Sequence, residues 1–212
     1  MARIYVDIET LPGPSRPNPS EIPAPANYKD PAKIAAYQEQ AVEDVYRKQS
    51  LDSMQGRILC IGWALDDGPV KAVIGEDEKE LLTQFENEII ENRDNHLPRW
   101  CGHNFQGFDG IWLRRKAIRY GLQWLPRYLK LDRYRGNVDD TMLMWSPHDQ
   151  RDRVSLGKIA AYLGIEVKSN GLDGSKIYDA WLEGRHDEIA TYCKQDVEAV
   201  RQVFKILDQY QT

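Results

Sequence analysis

The sequence predicts one α/β domain built as a mixed sheet flanked by helices, and three observations predict it. Residues 3–9, Arg-Ile-Tyr-Val-Asp-Ile-Glu, place Ile4, Val6 and Ile8 on one side of an extended segment and polar groups on the other. Residues 57–65 are apolar on both faces, as a central strand should be. The rest alternates short strand-like runs with segments whose apolar residues recur at helical spacing, and 212 residues that are 42% apolar suffice to bury a core.

The elements follow in order. Residues 11–30 hold six of the eleven prolines (Pro12, Pro14, Pro17, Pro19, Pro23 and Pro25), which predicts an extended surface excursion. Asp30-Pro31 reads as an N-cap with proline at the first helical position, and Ile34, Tyr37, Ala41, Val42 and Val45 continue a helix over 31–49. Residues 11–55 together read as an insertion between the first two strands: a lid, a substrate guide, a docking arm for a partner or a packing element. The turn Asp66-Asp67-Gly68-Pro69 returns 57–65 into a strand at 70–74, a hairpin. A helix over 77–92 buries Leu81, Leu82, Phe85, Ile89 and Ile90. A short strand at 100–103 precedes a helix starting near Phe108, and helices follow over 154–163, about 176–183 and about 187–210. Strand, hairpin, helix, strand, then helices is the order of a mixed sheet in the manner of the ribonuclease H fold. No internal repeat is evident.

Composition narrows the class. A net charge of −5 argues against a protein that coats polyanions generically. Residues 114–135 nevertheless carry Arg114, Arg115, Lys116, Arg119, Arg127, Lys130, Arg133 and Arg135, interleaved with Tyr120, Trp124, Tyr128 and Tyr134. Cations for phosphates and rings for bases suit single-stranded nucleic acid, with Arg114 and Arg115 as candidate contacts; a solvated helix face over core aromatics is the plainer reading. Three cysteines, Cys60, Cys101 and Cys193, lack metal-site spacing and suggest a reducing compartment. No apolar run approaches membrane-spanning length and the first residues run straight into a strand, so a soluble cytoplasmic protein is expected.

Carboxylates carry the chemistry. Asp7 and Glu9, two apart on a strand, point to the same side, and two neighbouring anions are relieved by a cation between them. Alone they would also fit a solvated strand end. Asp109 stands just past a predicted strand at a helix start, where sites of open α/β sheets gather. Tyr192 and Asp196, four apart, share one face of the last helix. Four such acids suit hard divalent cations, Mg²⁺ or Mn²⁺, and can hold two ions that activate water and stabilise a leaving oxygen in phosphodiester cleavage. Asp139 and Asp140, before Thr141, read as a turn or helix cap, with acids standing behind the metal ligands as the alternative; His103, His148 and His186 read as structural or surface residues.

These residues carry a resemblance. Asp7-Ile8-Glu9, Asn104-Phe105-Gln106-Gly107-Phe108-Asp109 and Tyr192-Cys193-Lys194-Gln195-Asp196 resemble, in order, the three motifs of the DEDD superfamily of 3′→5′ exonucleases. Thr191 stands where one branch has histidine, so the resemblance is to the tyrosine branch, which includes the proofreading exonuclease domains of family B DNA polymerases. It implies a ribonuclease H-like fold, two Mg²⁺ or Mn²⁺ ions on Asp7, Glu9, Asp109 and Asp196, and Tyr192 positioning water. It further implies Asn104 and Phe105 as contacts to terminal nucleotides, with Leu11 as a wedge against a base. The implied activity is 3′→5′ hydrolysis at single-stranded DNA ends, releasing nucleoside 5′-monophosphates, in the company of replication or repair proteins. An RNA-directed exonuclease or oligoribonuclease, and an end-binding module without turnover, are the rivals. The resemblance leaves 11–55 without a guide.

Overall fold

The computed structural model describes residues 2–92, 97–132, 136–147, 152–166 and 171–210. Arg133, Tyr134, Arg135 and His148 lie outside the described residues.

The fold is α/β, a five-stranded mixed sheet flanked by helices in the ribonuclease H-like arrangement. Strands β1 (Arg3–Leu11), β2 (Arg57–Leu65), β3 (Lys71–Ile74), β4 (Arg99–Gly102) and β5 (Val138–Asp140) lie in the order β3-β2-β1-β4-β5. The predicted hairpin is present, with β2 antiparallel to β3 and Cys60 opposite Ile74. β4 runs parallel to β1, Arg3 opposite Arg99, and β5 runs parallel to β4, Trp100 opposite Val138.

The period of two along β1 divides the core. Ile4, Val6 and Ile8 join one cluster with α2 (Glu78–Asn92), α3 (Asp109–Arg119) and α4 (Trp124–Tyr128), through Phe85, Trp112 and Leu125 among others. Tyr5 points the opposite way, into a cluster with Val197, Val200 and Phe204 of α8 (His186–Asp208). Further along α8, Val203 and Leu207 pack on Ile159 and Ala160 of α6 (Leu156–Tyr162). Side chains of β1 at odd positions therefore face α8.

Two buried acids fasten the first layer. Glu78 accepts hydrogen bonds from Ile58 N at 2.6 Å and Tyr120 Oη at 2.7 Å, and pairs with the fully buried Lys116 at 3.3 Å. Glu86 of α2 accepts from Trp124 N at 3.0 Å, capping α4 from another helix. The short elements β5, α4 and α5 (Thr141–Trp145) are additions to the expected set. Each is three to five residues long, and β5 and α4 depend on partners far away in the chain. α7 (Ile177–Leu182) completes the set.

The chain divides into two compact units, Met1–Glu9 with Ile58–Thr212, and Thr10–Arg57. In the second, α1 (Pro31–Lys48) starts as expected: Asp30 accepts from Ala32 N at 2.9 Å and Pro31 opens the helix. The expected apolar face of α1 is only half covered, since no residue of this helix is buried. Tyr46 and Gln38 tie the proline-rich segment to it by donating to the carbonyls of Gly13 (3.0 Å) and Ile22 (2.8 Å). Gly13 is required there, because a Cβ would lie 2.2 Å from the Gln55 carbonyl oxygen. Among the described residues, no helix is long and apolar enough to cross a membrane.

Candidate active site

The strand that carries Asp7 and Glu9 also fixes where the other groups arrive. Both acids occupy odd positions, so they extend towards the α8 face, where Tyr192 and Asp196 stand one turn apart. Cys193 sits between those two in sequence and faces the sheet; its Sγ lies 3.4 Å from the Asp7 carbonyl oxygen, to which it donates. The close approach of α8 needs Gly62 on β2, where a Cβ would lie 2.8 Å from Cys193 Sγ and 3.0 Å from Val197 Cγ2. Asp109 comes from α3, which packs on the opposite layer, yet its Oδ1 accepts the Ile8 backbone N–H at 3.1 Å. The first residue of α3 thus reaches the same strand, between Asp7 and Glu9.

The electrostatics follow from crowding acids away from water. Burial pushes Asp7 and Glu9 well above the usual carboxylate range; Asp196, Asp109 and Glu9 add repulsion at Asp7, and Asp196, Cys60 and Asp109 at Glu9. Burial raises Asp109 to about 8, against the opposing N–H donors of its own backbone and Ile8. Asp196 is raised to about 6 by burial, while a hydrogen bond from the Tyr192 phenol pulls the other way. Tyr192 is raised in turn, by burial first and then by Asp196 and Glu9. The phenol therefore donates a hydrogen bond to Asp196.

The group has the chemistry of a divalent-cation site. Asp7 Oδ2 is buried and accepts no hydrogen bond, although a buried carboxylate oxygen ordinarily finds a donor. Ligand atoms of Asp7, Glu9 and Cys193 lie within 4.8 Å of one another. Four mutually repelling carboxylates with an orphaned oxygen among them fit a hard cation of oxygen preference. Cys193 was not expected near the acids; its place one residue after Tyr192 on a helix turned towards a strand was the available signal.

Of the other expected contacts, Phe105 and Leu11 are corrected. Phe105 is fully buried and its ring stacks on Trp100, centroids 6.4 Å apart at 15°, so it packs the core and presents no ring to a base. Phe108 is half-buried, packed at the margin of the same cluster. Leu11 is fully buried as well, which leaves it no surface with which to wedge a base. Arg114 is half-buried and donates to the Pro126 carbonyl oxygen at 2.7 Å, a bond between α3 and the next helix. Arg115 is exposed and stays on the surface. Within the basic stretch Lys116 is buried against Glu78, and Trp124 and Tyr128 stack on each other at 5.0 Å beside the core, so much of the aromatic and part of the cationic content is structural. Asn104 is half-buried with a left-handed backbone, φ +54°, and its Oδ1 packs over Gly107. Asp139 is an ion-pair partner of Arg3 and Arg99. Asp140 caps α5 as expected but also accepts from the loop that leads to Asp109. His103 donates from Nε2 to the Val154 carbonyl oxygen at 2.9 Å and lies 3.0 Å from Thr141 Oγ1, a structural role.

Residues 63–205 match the family model described as "Predicted 3'-5' exonuclease related to the exonuclease domain of PolB". The match includes Asp109, Tyr192 and Asp196; Asp7 and Glu9 precede it. Among solved structures, the chain is similar to a family B DNA polymerase from the hyperthermophilic archaeon Pyrobaculum calidifontis, with a TM-score of 0.62 and 16% identity. That similarity covers 99% of this chain and 25% of the polymerase, so the chain spans about a quarter of its length. No curated protein sequence matches the chain.

Proposed function

The chain belongs to the family of predicted 3′-5′ exonucleases related to the exonuclease domain of PolB, and from that premise we propose that it is a metal-dependent 3′→5′ exonuclease acting on single-stranded DNA ends. The reading is supported by Asp7 Oδ2, buried and unpartnered, with Glu9 beside it, Asp109 held to the same strand by the Ile8 N–H, and Asp196 close enough to repel both strand acids. These four acids would hold two Mg²⁺ or Mn²⁺ ions. Bound there, such ions supply the charge neutralisation and water activation that in-line phosphodiester cleavage requires.

The chain's own residues do the rest. β1 supplies two acids in fixed register, and the Ile8 N–H holds Asp109 against it. The Tyr192 phenol donates to Asp196, fixing that carboxylate's orientation and standing at the margin of the acid group, where it can position the attacking water. Products would be nucleoside 5′-monophosphates. DNA is favoured over RNA because both comparisons point to DNA polymerases, and a role beside replication or repair proteins fits the same likeness. Three free buried thiols suit a reducing, cytoplasmic setting.

A time course on matched labelled DNA and RNA oligonucleotides, with either end blocked and with Mg²⁺, Mn²⁺ or EDTA, tests the reading. Mononucleotide release from free DNA 3′ ends, abolished by EDTA, is expected. Binding without release in either metal would overturn it.

A further inference from the structure

We propose that Asp140 is a positioning residue for Asp109, holding the loop 104–108 in the one arrangement that delivers the Asp109 carboxylate to the cation site. The inference rests on the metal-dependent reading above.

Asp140 is the last residue of β5 and is buried, 4% exposed. Its Oδ1 accepts from the backbone N–H groups of Asn104 (3.0 Å) and Met142 (3.1 Å), and its Oδ2 accepts from Gln106 N–H at 2.9 Å. One carboxylate therefore clasps two alternate amides of the loop while capping α5. The clasp continues into α3: Gly107 and Phe108 N–H donate to the Asn104 carbonyl oxygen at 3.0 and 2.9 Å, and Gly110 N–H donates to that of Phe105 at 2.9 Å. α3 has no side-chain cap of its own, for Phe108 at the N-cap offers none. The start of α3, and Asp109 with it, is placed by the loop rather than by a local capping side chain. At its far end Asp109 meets the Ile8 N–H, so the carboxylate is held from two directions.

Both oxygens of Asp140 are needed, and this gives the proposal its test. Asparagine is a good N-cap and fills the same volume. In Asp140→Asn one oxygen keeps the α5 cap, while the amide nitrogen, a donor, faces the Gln106 N–H and accepts nothing. Loss of groups that orient metal-binding side chains ordinarily costs about 10- to 100-fold in metal affinity. Mn²⁺ affinity, measured by calorimetry or by the electron paramagnetic resonance of free Mn²⁺, should fall by about that factor in Asp140→Asn. Turnover should fall with it and recover partly at high Mn²⁺, as a weakened metal site does and a general loss of structure does not.

Asp109→Ala is the control that separates the two ideas. If Asp109→Ala binds Mn²⁺ like the wild type, the metal-site reading fails. If Asp109→Ala loses affinity and Asp140→Asn keeps it, the positioning role fails alone. Should Asp140→Asn not fold, Asp140→Ser keeps a capping oxygen for α5 and removes the second oxygen from the loop amides. Wild-type Mn²⁺ affinity in Asp140→Ser would then overturn the proposal.

Discussion

The backbone N–H of Ile8 donates to Oδ1 of Asp109 at 3.1 Å, joining the middle of β1 to the first residue of α3 across 101 positions of sequence. It is the link by which two helices from opposite layers serve one group of acids: α8 brings Asp196 over the sheet, and α3 brings Asp109 around its end.

Asp7 should show opposite effects on stability and on activity. Asp7→Asn replaces a buried carboxyl whose ionisation is disfavoured by burial and neighbouring acids and whose Oδ2 has no donor, so the metal-free variant is expected to unfold at the same or a higher temperature than the wild type. Its hydrolysis at saturating Mg²⁺ should fall by at least about 100-fold, since loss of a ligand costs no less than loss of a group that orients one. Thermal melting and initial rates on one preparation check both. Activity within tenfold of wild type would remove Asp7 from the site.

The stability of the metal-free protein should decline as pH rises. Asp109 titrates at about 8 and Asp196 at about 6 in the folded chain, against about 3.9 for an unfolded aspartate. Between pH 4 and 8 the folded state holds more protons than the unfolded one, so stability present below pH 4 is lost as pH climbs through the folded values. A divalent cation held by these acids would take the place of those protons, and its stabilisation should grow over the same interval. Melting with and without Mg²⁺ at pH 5.5 and pH 8 measures it. A larger Mg²⁺ effect at the lower pH would contradict the assignment.

Tyr192→Phe isolates the phenol. The hydrogen bond to a charged acceptor is worth about 1.5–3 kcal/mol, which corresponds to about a 10- to 100-fold loss in turnover if the bond matters in the transition state. KM should move less than kcat. The opposite pattern would make the hydroxyl a substrate contact.

Phe105→Ala distinguishes packing from base stacking. As a fully buried ring stacked on Trp100, Phe105 should cost about 3–5 kcal/mol of stability when truncated. Denaturant unfolding that shows a loss below about 1 kcal/mol would return the ring to the surface and to the substrate.

Lys116 makes the same distinction for charge. Lys116→Ala leaves Glu78 buried and short of its ion pair, with an expected loss of about 3–5 kcal/mol. The salt dependence of oligonucleotide binding should not change, because a buried lysine meets no phosphate. A shallower salt slope in a folded Lys116→Ala variant would show that it does.

Much of the site was legible because its spacings are local. Asp7 and Glu9 share a side because a strand repeats every two residues, and Tyr192 and Asp196 share a face because a helix nearly repeats every four. Phe105 was misread for the same reason: its motif position said where the backbone would be, not which way the ring would turn. Only the arrival of Trp100 beside it and the space left by Gly102, where a Cβ would lie 2.5 Å from Phe105 Cδ2, put the ring inside.

The sequence by itself determined the elements that carry the acids and the side each acid takes, because periodicity is a property of neighbouring residues. Tertiary structure alone decided that Asp109 meets Ile8, that Asp140 clasps Asn104 and Gln106, and that Lys116 and Phe105 belong to the interior. Those outcomes rest on hydrogen bonds and packing between segments 36 to 101 residues apart in the cases of Asp140 with Asn104 and Asp109 with Ile8. Such contacts exist only once burial of the apolar faces has brought the segments together, and no local pattern encodes them.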